Sequence, residues 1–466
     1  MAISRDLRPI TNAVPRVDGE RVMLYEREEF VQPKRTLLYW TTLIYAVGVP
    51  NFLHFDTTGK THSNGLFNLT SLSAIAVAMV AAYLLFVLTI LRPSLWTTGS
   101  SVSFARWLWV PLLLQFFAAT MMQPPSRLTP TSPNDFLISS YRIFEWLLLF
   151  GLCLALSRGL PREKIRSLMI ELIGKCSWIW IAMVWCALPL MPSQVYGESD
   201  AMGGNSSRLG GQFLSPSYLA TLAIAGFFYV LIFVNHKILK FAACFLAALT
   251  IILAHTRIEQ ITFALLLLIY YVLFSRNMIL RVLAIGTLVA GIAGAAIFKD
   301  AIIQYAARGQ SLKTLATMDD RLAVWQAGID AGILRPYLGY GFVVGAKDAI
   351  RDHWKQTNWI PPHSHNEFIH AFVTGGIPAL ILVACIYGRL LWSALRNIRG
   401  GPSFQFLFLL TLLFWARALG GANITIQLTR PGAIFVLVFF AAVAGGMERG
   451  AKKAPQLVLV PEHSVA

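Results

Sequence analysis

Apolar runs of roughly 17 to 25 residues recur from one end of the chain to the other, each long enough to cross the hydrocarbon core of a bilayer. No other feature constrains the fold as hard. Lipid offers no hydrogen bonds, so every backbone N–H and C=O there must find a partner within the protein. Only helices and closed barrels achieve that. Runs of this length without strand-like alternation predict helices. Composition agrees: 56% of the 466 residues are hydrophobic and 13% are charged, against about 25% charged in an ordinary soluble chain. The expected fold class is all-α, a polytopic transmembrane helical bundle. Length says nothing of domain number here, because lipid replaces a buried core.

Twelve spans are expected, at about 36–54, 69–91, 105–122, 136–157, 169–190, 216–234, 238–254, 260–274, 279–298, 367–394, 404–420 and 431–446. The loops set the orientation. Arg158, Arg162, Lys164 and Arg166 fall between spans four and five, and Lys237 and Lys240 between six and seven. Arg276 falls between eight and nine, with Arg281 just inside nine. Arg396 and Arg399 follow span ten, and Arg449, Lys452 and Lys453 follow span twelve. All lie on one face if both termini are inside, as the positive-inside rule requires. The chain then divides into a cytoplasmic N-terminal tail (1–35), a transmembrane domain (36–446) and a cytoplasmic C-terminal tail (447–466). Its polar start lacks the short apolar core and small-residue cleavage site of a secretory signal, so the first membrane helix is expected to do the targeting.

The opposite face holds 55–68, 123–135, 191–215, 255–259, 299–366 and 421–430. The longest of these, 299–366, is more than a linker. Leu322, Trp325, Ile329 and Ile333 recur at helical spacing. Asp319 or Asp320 can cap that helix by accepting its free first-turn N–H groups. Pro336 ends it, and Gly339-Tyr340-Gly341 turns the chain. An amphipathic helix lying on the outer membrane surface is expected there.

The net charge of +16 does not point to nucleic acid, because much of the Lys/Arg excess lies in short loops and tails. The five cysteines, Cys153, Cys176, Cys186, Cys244 and Cys385, lie in apolar stretches without metal or disulfide-framework spacing. No Walker motif, dinucleotide glycine fingerprint or Asp-x-Asp appears. Carboxylates within spans are few, chiefly Glu145 and Glu171, and Arg142 one turn before Glu145 can neutralise it. Ion-coupled transporters usually carry buried acids as relays, so this scarcity lowers a transporter reading.

One string stands apart: Pro361-Pro362-His363-Ser364-His365-Asn366-Glu367-Phe368, at the edge of a long apolar helix. Lipid-facing helices do not tolerate such a cluster without a reason. His370 follows one turn beyond Asn366. Three outer-face arginines stand beside helix ends: Arg208 before span six, Arg257 between spans seven and eight, and Arg321 at the head of the surface helix. Each alone can snorkel to headgroups or pair with an acid, Glu259 being at hand for Arg257. Each histidine alone can cap a helix or bond a carbonyl, and Asn366 can be a plain N-cap. Together they offer more. Arginine forks bind phosphate oxygens bidentately, and several would hold a pyrophosphate. Gly210 and Gly211 would let backbone N–H groups approach an anion. A neutral histidine can take a proton from a hydroxyl. An anion clamp with a general base suits transfer of a group off a phosphate leaving group.

These residues resemble the O-antigen ligase and O-antigen polymerase superfamily of bacterial envelope enzymes, from Arg208 to about Leu382. His363-Ser364-His365-Asn366-Glu367-Phe368-Ile369 followed by Gly375-Gly376 is similar to the family's His-Asn-x-x-Leu motif with its downstream glycine. Arg321-x-x-x-Trp325 with Pro336-x-x-Gly339-x-Gly341 resembles the block before it. Arg208-x-x-Gly211-x-Phe213 and Thr256-Arg257 resemble two earlier elements. Two departures stand out: Ser215-Pro216-Ser217 replaces the usual Pro-Asn, and Ile369 replaces Leu.

The resemblance implies a metal-independent, cofactor-free glycosyltransferase acting at the periplasmic face of the bacterial inner membrane. The implied donor is a glycan on undecaprenyl pyrophosphate. His365 is implied as the base, and Arg208, Arg257 and Arg321 as the pyrophosphate clamp. His363, Asn366 and Gly211 would support them. Displacement would invert the anomeric centre. A polymerase would take a lipid-linked repeat unit as acceptor, and a ligase would take lipid A-core. Overall resemblance favours the polymerase of a secreted exopolysaccharide. Other polysaccharide assembly and export proteins are implied partners. Outside the class, a polysaccharide or lipid exporter is the alternative.

Overall fold

The computed structural model describes residues 33–48, 80, 100–126, 133–157, 160–197, 207–211, 213–298, 300, 321–355, 361 and 363–444. The expected span at 69–91, the cap at Asp319 or Asp320 and most of both tails lie outside the described residues.

The chain is all-α and polytopic. In order come α1 (Pro33–Gly48), α2 (Ser100–Met121), α3 (Pro133–Ser157), α4 (Arg162–Ala187) and the single turn α5 (Pro192–Val195). A two-residue hairpin follows, β1 (Tyr196–Gly197) pairing antiparallel with β2 (Arg208–Leu209). Then come α6 (Pro216–Phe233), α7 (Lys237–Leu253), α8 (Arg257–Phe274) and α9 (Met278–Ile297). The long loop carries α10 (Arg321–Leu334) and α11 (Val344–His353). The bundle closes with α12 (Glu367–Arg396), α13 (Pro402–Gly420) and α14 (Arg430–Ala444). Eleven helices coincide with eleven of the twelve expected spans. Among the described residues, six helices are long and apolar enough to cross a membrane.

Helix α14 is the axis of the bundle. Every residue from Pro431 to Val443 is buried, and α1, α2, α3, α4, α6, α12 and α13 pack around it. Aromatic rings fill its contact with α2 and α3: Trp109 stacks on Trp146 at 5.9 Å and meets Phe439 edge-on at 5.8 Å. The polar tip of Trp146 donates to the carbonyl of Ile426 at 3.0 Å, as a buried indole should. The α3 pair forms as the sequence suggests, with Arg142 Nη1 2.9 Å from Glu145 and both side chains buried. Helix α9 lies at the other extreme. Its apolar side chains, such as Val282, Leu283 and Val289, are exposed, which suits contact with lipid rather than protein.

The surface helix turns a different face inward from its large-residue stripe. Val324, Ala327, Gly328 and Ala331 are buried in α10, while Leu322, Ile329 and Ile333 are exposed. Small residues let α10 lie close to α12: a Cβ on Gly328 would meet Ile369 at 2.9 Å. The large residues Leu322, Ile329 and Ile333 are left on the exposed face.

Helix α12 is broken at Gly375-Gly376, where Gly376 adopts φ +70. A break inside a membrane helix frees backbone groups that lipid cannot satisfy. The loop after α10 satisfies them. Tyr340 N–H donates to Val373 O at 2.9 Å, Gly341 N–H to Thr374 O at 3.0 Å, and Ile377 N–H to Pro336 O at 2.6 Å. Gln115 of α2 adds a bond to Gly375 O at 2.7 Å. A Cβ on Gly339 would strike the Thr374–Gly375 backbone, and one on Gly376 would strike Pro336 and Tyr337. The Pro336–Gly341 block and the Gly375-Gly376 pair are therefore one interlocked unit. Gly376→Ala is expected to lower unfolding stability by about 1–3 kcal/mol or more, from positive-φ strain plus the backbone clash. Thermal unfolding of detergent-solubilised protein checks this, and a wild-type midpoint would contradict the interlock.

Candidate functional site

The loops expected on one face meet at one end of the bundle. Arg321 of α10 donates from Nη1 to Gly420 O at the end of α13, at 3.0 Å. A Cβ on Gly420 would lie between that guanidinium and Ile258, the residue after Arg257. Glu259, one residue further, is bonded by Arg417 Nη1 at 3.0 Å. The same Nη1 bonds Ser217 at 2.8 Å and Thr221 at 2.9 Å on α6, and Ser217 donates to Glu259. Arg166, from a loop expected on the opposite face, lies 4.1 Å over the ring of Phe404, the first residue of expected span eleven.

The histidines sit where α12 begins. Asn366 is its N-cap, Oδ1 accepting from Phe368 N–H at 3.0 Å and Ile369 N–H at 3.1 Å. Ser364 Oγ donates to Asn366 O at 2.8 Å. His365 is held at φ +52, a region non-glycine residues seldom occupy and one that clusters at functional sites. Its backbone N–H donates to His363 Nδ1 at 3.1 Å. That bond leaves the Nδ1 of neutral His363 an acceptor and puts the proton on Nε2. The His363 and His365 rings are 4.1 Å apart, and His370 lies 6.1 Å from His363.

The environment disfavours histidine protonation. Burial, then the Arg417 and Arg321 charges, pulls His363 down to about 4. Burial, then His363, Arg321 and His370, holds His365 well below its ordinary value. His365 is therefore neutral at pH 7, the form able to accept a proton.

Glu367, the acid in this string, is turned into the protein. Its carboxylate is buried and accepts the backbone N–H groups of Asn423, Ile424 (3.2 Å) and Thr425 (2.9 Å), with Tyr387 Oη at 3.2 Å. It fastens the α13–α14 loop to the head of α12.

Arg208 lies on β2, opposite Gly197. The turn after β2 is linked onward in three steps that begin at Phe213. Phe213, in the turn after β2, packs against Trp180 at 6.3 Å. Trp180 carries the guanidinium of Arg430 at 3.6 Å. Arg430 and Arg417 both act electrostatically on Tyr218.

Two expectations change. Glu259 is engaged by Arg417 rather than offered to Arg257. The N–H of Gly210 donates to Val195 O at 2.7 Å within the hairpin, so it is not presented to an anion. Gly211 is required for shape: its φ is +50, and a Cβ there would strike the carbonyl of Gln194.

Arg417, Arg430 and Tyr218 were missing from the sequence-derived set. Arg417 carried a usable signal, as a charge inside an apolar span. Arg430, the last residue of the 421–430 loop, carries no comparable local signal.

Residues 242–384 match the family model described as O-antigen ligase. The match holds Arg257, Arg321 and the histidine string, and it supports the resemblance to the O-antigen ligase and polymerase superfamily. The chain is thus a multi-pass membrane protein with a stretch similar to that family. Comparison with curated proteins found no match.

The ion pair between Arg417 and Glu259 should be essential to this end of the bundle. Removing one partner of a buried pair strands the other charge and typically costs about 3–5 kcal/mol. Glu259→Gln should therefore lower the unfolding midpoint markedly. An unchanged midpoint would show that Arg417 does not depend on this partner.

Proposed function

We propose that this chain is a glycosyltransferase of the bacterial inner membrane. It polymerises undecaprenyl-pyrophosphate-linked repeat units at the periplasmic face through a twelve-span bundle with both termini inside. The observation carrying this reading is the convergence of neutral His365 and His363 with Arg321 and Arg417, beside the helix that Arg257 opens.

The acceptor is a sugar hydroxyl. As its oxygen attacks the donor's anomeric carbon, the hydroxyl proton passes to the His365 imidazole. The bond between that carbon and the pyrophosphate oxygen breaks, and undecaprenyl pyrophosphate leaves with the electron pair. Attack from the side opposite the leaving group inverts the anomeric centre. Arg208, Arg257 and Arg321 hold the pyrophosphate and stabilise the charge that grows on it. Pyrophosphate is already a good leaving group, so the step needs no metal. His363 fixes the backbone of His365, Asn366 caps the helix behind it, and Gly211 shapes the Arg208 turn.

The ligase reading keeps the same site and replaces the acceptor with lipid A-core. The description of the matching family favours it. Loss of a polymerase leaves single repeat units on the lipid carrier and no long chains. Loss of a ligase leaves long glycans on that carrier. A deletion strain is expected to accumulate single lipid-linked repeats and secrete no polymer. Long lipid-linked polymer would select the ligase, and normal polymer output would remove both.

His365→Ala should lower turnover about 10²- to 10⁴-fold in folded enzyme, the usual worth of a general base. The pH profile provides an independent check. The base acts when neutral, so activity is lost as pH falls through its own pKa. A histidine at about 6.5 would cost roughly fourfold in kcat/KM by pH 6. With His365 held well below that, kcat/KM should change less than twofold between pH 7.5 and 6. An acid limb centred at 6.5 or above would rule out His365 as the base.

A further inference from the structure

Arg430 is the most anomalous charge in the described structure. It is 5% exposed. Its Nε has no hydrogen-bond partner, and among the described residues it forms no ion pair. Its guanidinium is stacked on the Trp180 ring at 3.6 Å, and Tyr218 lies within its electrostatic reach. Stacking satisfies one face of the guanidinium but none of its five in-plane donors.

The backbone makes the position worse for a cation. Arg430 is the first residue of α14, the end where the helix dipole is positive. The first-turn amides give little relief to an incoming anion. Pro431 has no N–H, and Gly432 N–H is already bonded to Thr429 Oγ1 at 3.1 Å. The buried acids of this end are engaged elsewhere. Glu259 holds Arg417, and Glu367 holds the amides of 423–425. Arg417, itself 6% exposed, brings a second positive charge to Tyr218. A buried cation at a helix N-terminus beside another cation is stable only with a counter-ion.

We propose that Arg430 is an anion-binding residue whose counter-ion is a phosphate group of an isoprenyl diphosphate, gripped by the in-plane donors while Trp180 fixes the plane. A planar fork seated over an indole suits two oxygens of one phosphate. The assignment rests on the donor chemistry proposed above. It adds a residue outside the matched stretch 242–384 and joins the Arg208 turn to the Arg417 network.

The test uses the full chain in phosphatidylcholine nanodiscs, with inorganic pyrophosphate as probe. Arg430→Gln should weaken pyrophosphate binding about 10- to 150-fold, the worth of a charge-assisted contact. Arg430→Lys should fall between, having charge without the fork. Without pyrophosphate, the melting temperature of Arg430→Gln should equal or exceed wild type, because a stranded charge has gone. Unchanged pyrophosphate affinity in either folded variant, or no binding by wild type, overturns the proposal. So does a lower unliganded melting temperature in both variants, which would make Arg430 structural. Phosphatidylglycerol discs form the second arm: stabilisation there that abolishes any response to pyrophosphate would give the site to bilayer headgroups instead. Glycan polymerisation is measured on the same preparations. Pyrophosphate binding that depends on Arg430 in an enzyme unable to polymerise would remove the functional reading and leave this one. Polymerisation with unaltered pyrophosphate affinity in Arg430→Gln would do the reverse.

Discussion

Glu367 puts a carboxylate where the heads of α12 and α14 meet the end of α13, and four donors converge on it: the N–H groups of Asn423, Ile424 and Thr425 and the hydroxyl of Tyr387. Those amides belong to an irregular loop buried within a membrane bundle. Buried irregular backbone must be satisfied by protein, and a single carboxylate can serve several N–H groups where a helix cannot continue. The side chain belongs to the first residue of α12. The bonds therefore fix the histidines just before it relative to Arg417 and Arg430, which flank the loop. Asn423 Nδ2 donates to Tyr387 Oη at 2.7 Å and closes the network.

A second constraint acts lower on the same helix. Gly375 and Gly376 interrupt α12, and the Pro336–Gly341 segment fills the interruption with backbone bonds. One helix is thus tied at its head to the α13–α14 loop and at its break to the loop carrying α10. His363, His365 and Arg321 come from different stretches of sequence, yet they share a place because both stretches are bolted to α12.

The electrostatics of this end are lopsided towards positive charge. Arg417 has a buried acid partner in Glu259, whereas Arg430 has stacking alone among the described contacts. Positive surroundings and burial together keep His363 and His365 unprotonated. The same surroundings favour a multiply charged anion. A site that is basic in charge but neutral in its histidines is suited to hold a pyrophosphate while accepting a proton. Burial is the larger cause of the histidines' neutrality, and the arginines add to it.

The sequence by itself determined the helices, because lipid leaves a backbone of this hydropathy no other regular structure over most of its length. It also marked the turn glycines and the Asn366 cap, and brought His363, His365, Arg208, Arg257 and Arg321 into view as chemistry-bearing residues. These are local signals, read from spacing, charge and conformational need. The partners of Glu259 and Glu367 were not legible. Arg417 stands 158 residues from Glu259, and Asn423 stands 56 from Glu367. No local pattern predicts which of several arginines will reach a buried acid, nor which loop a carboxylate will fasten. Tertiary structure decided that Glu367 is a scaffold, that Gly210 serves a hairpin and that Arg430 is buried on an indole. Burial converts each polar group into one that must be matched in space, and the match is made between chain segments that meet only once the helices have packed.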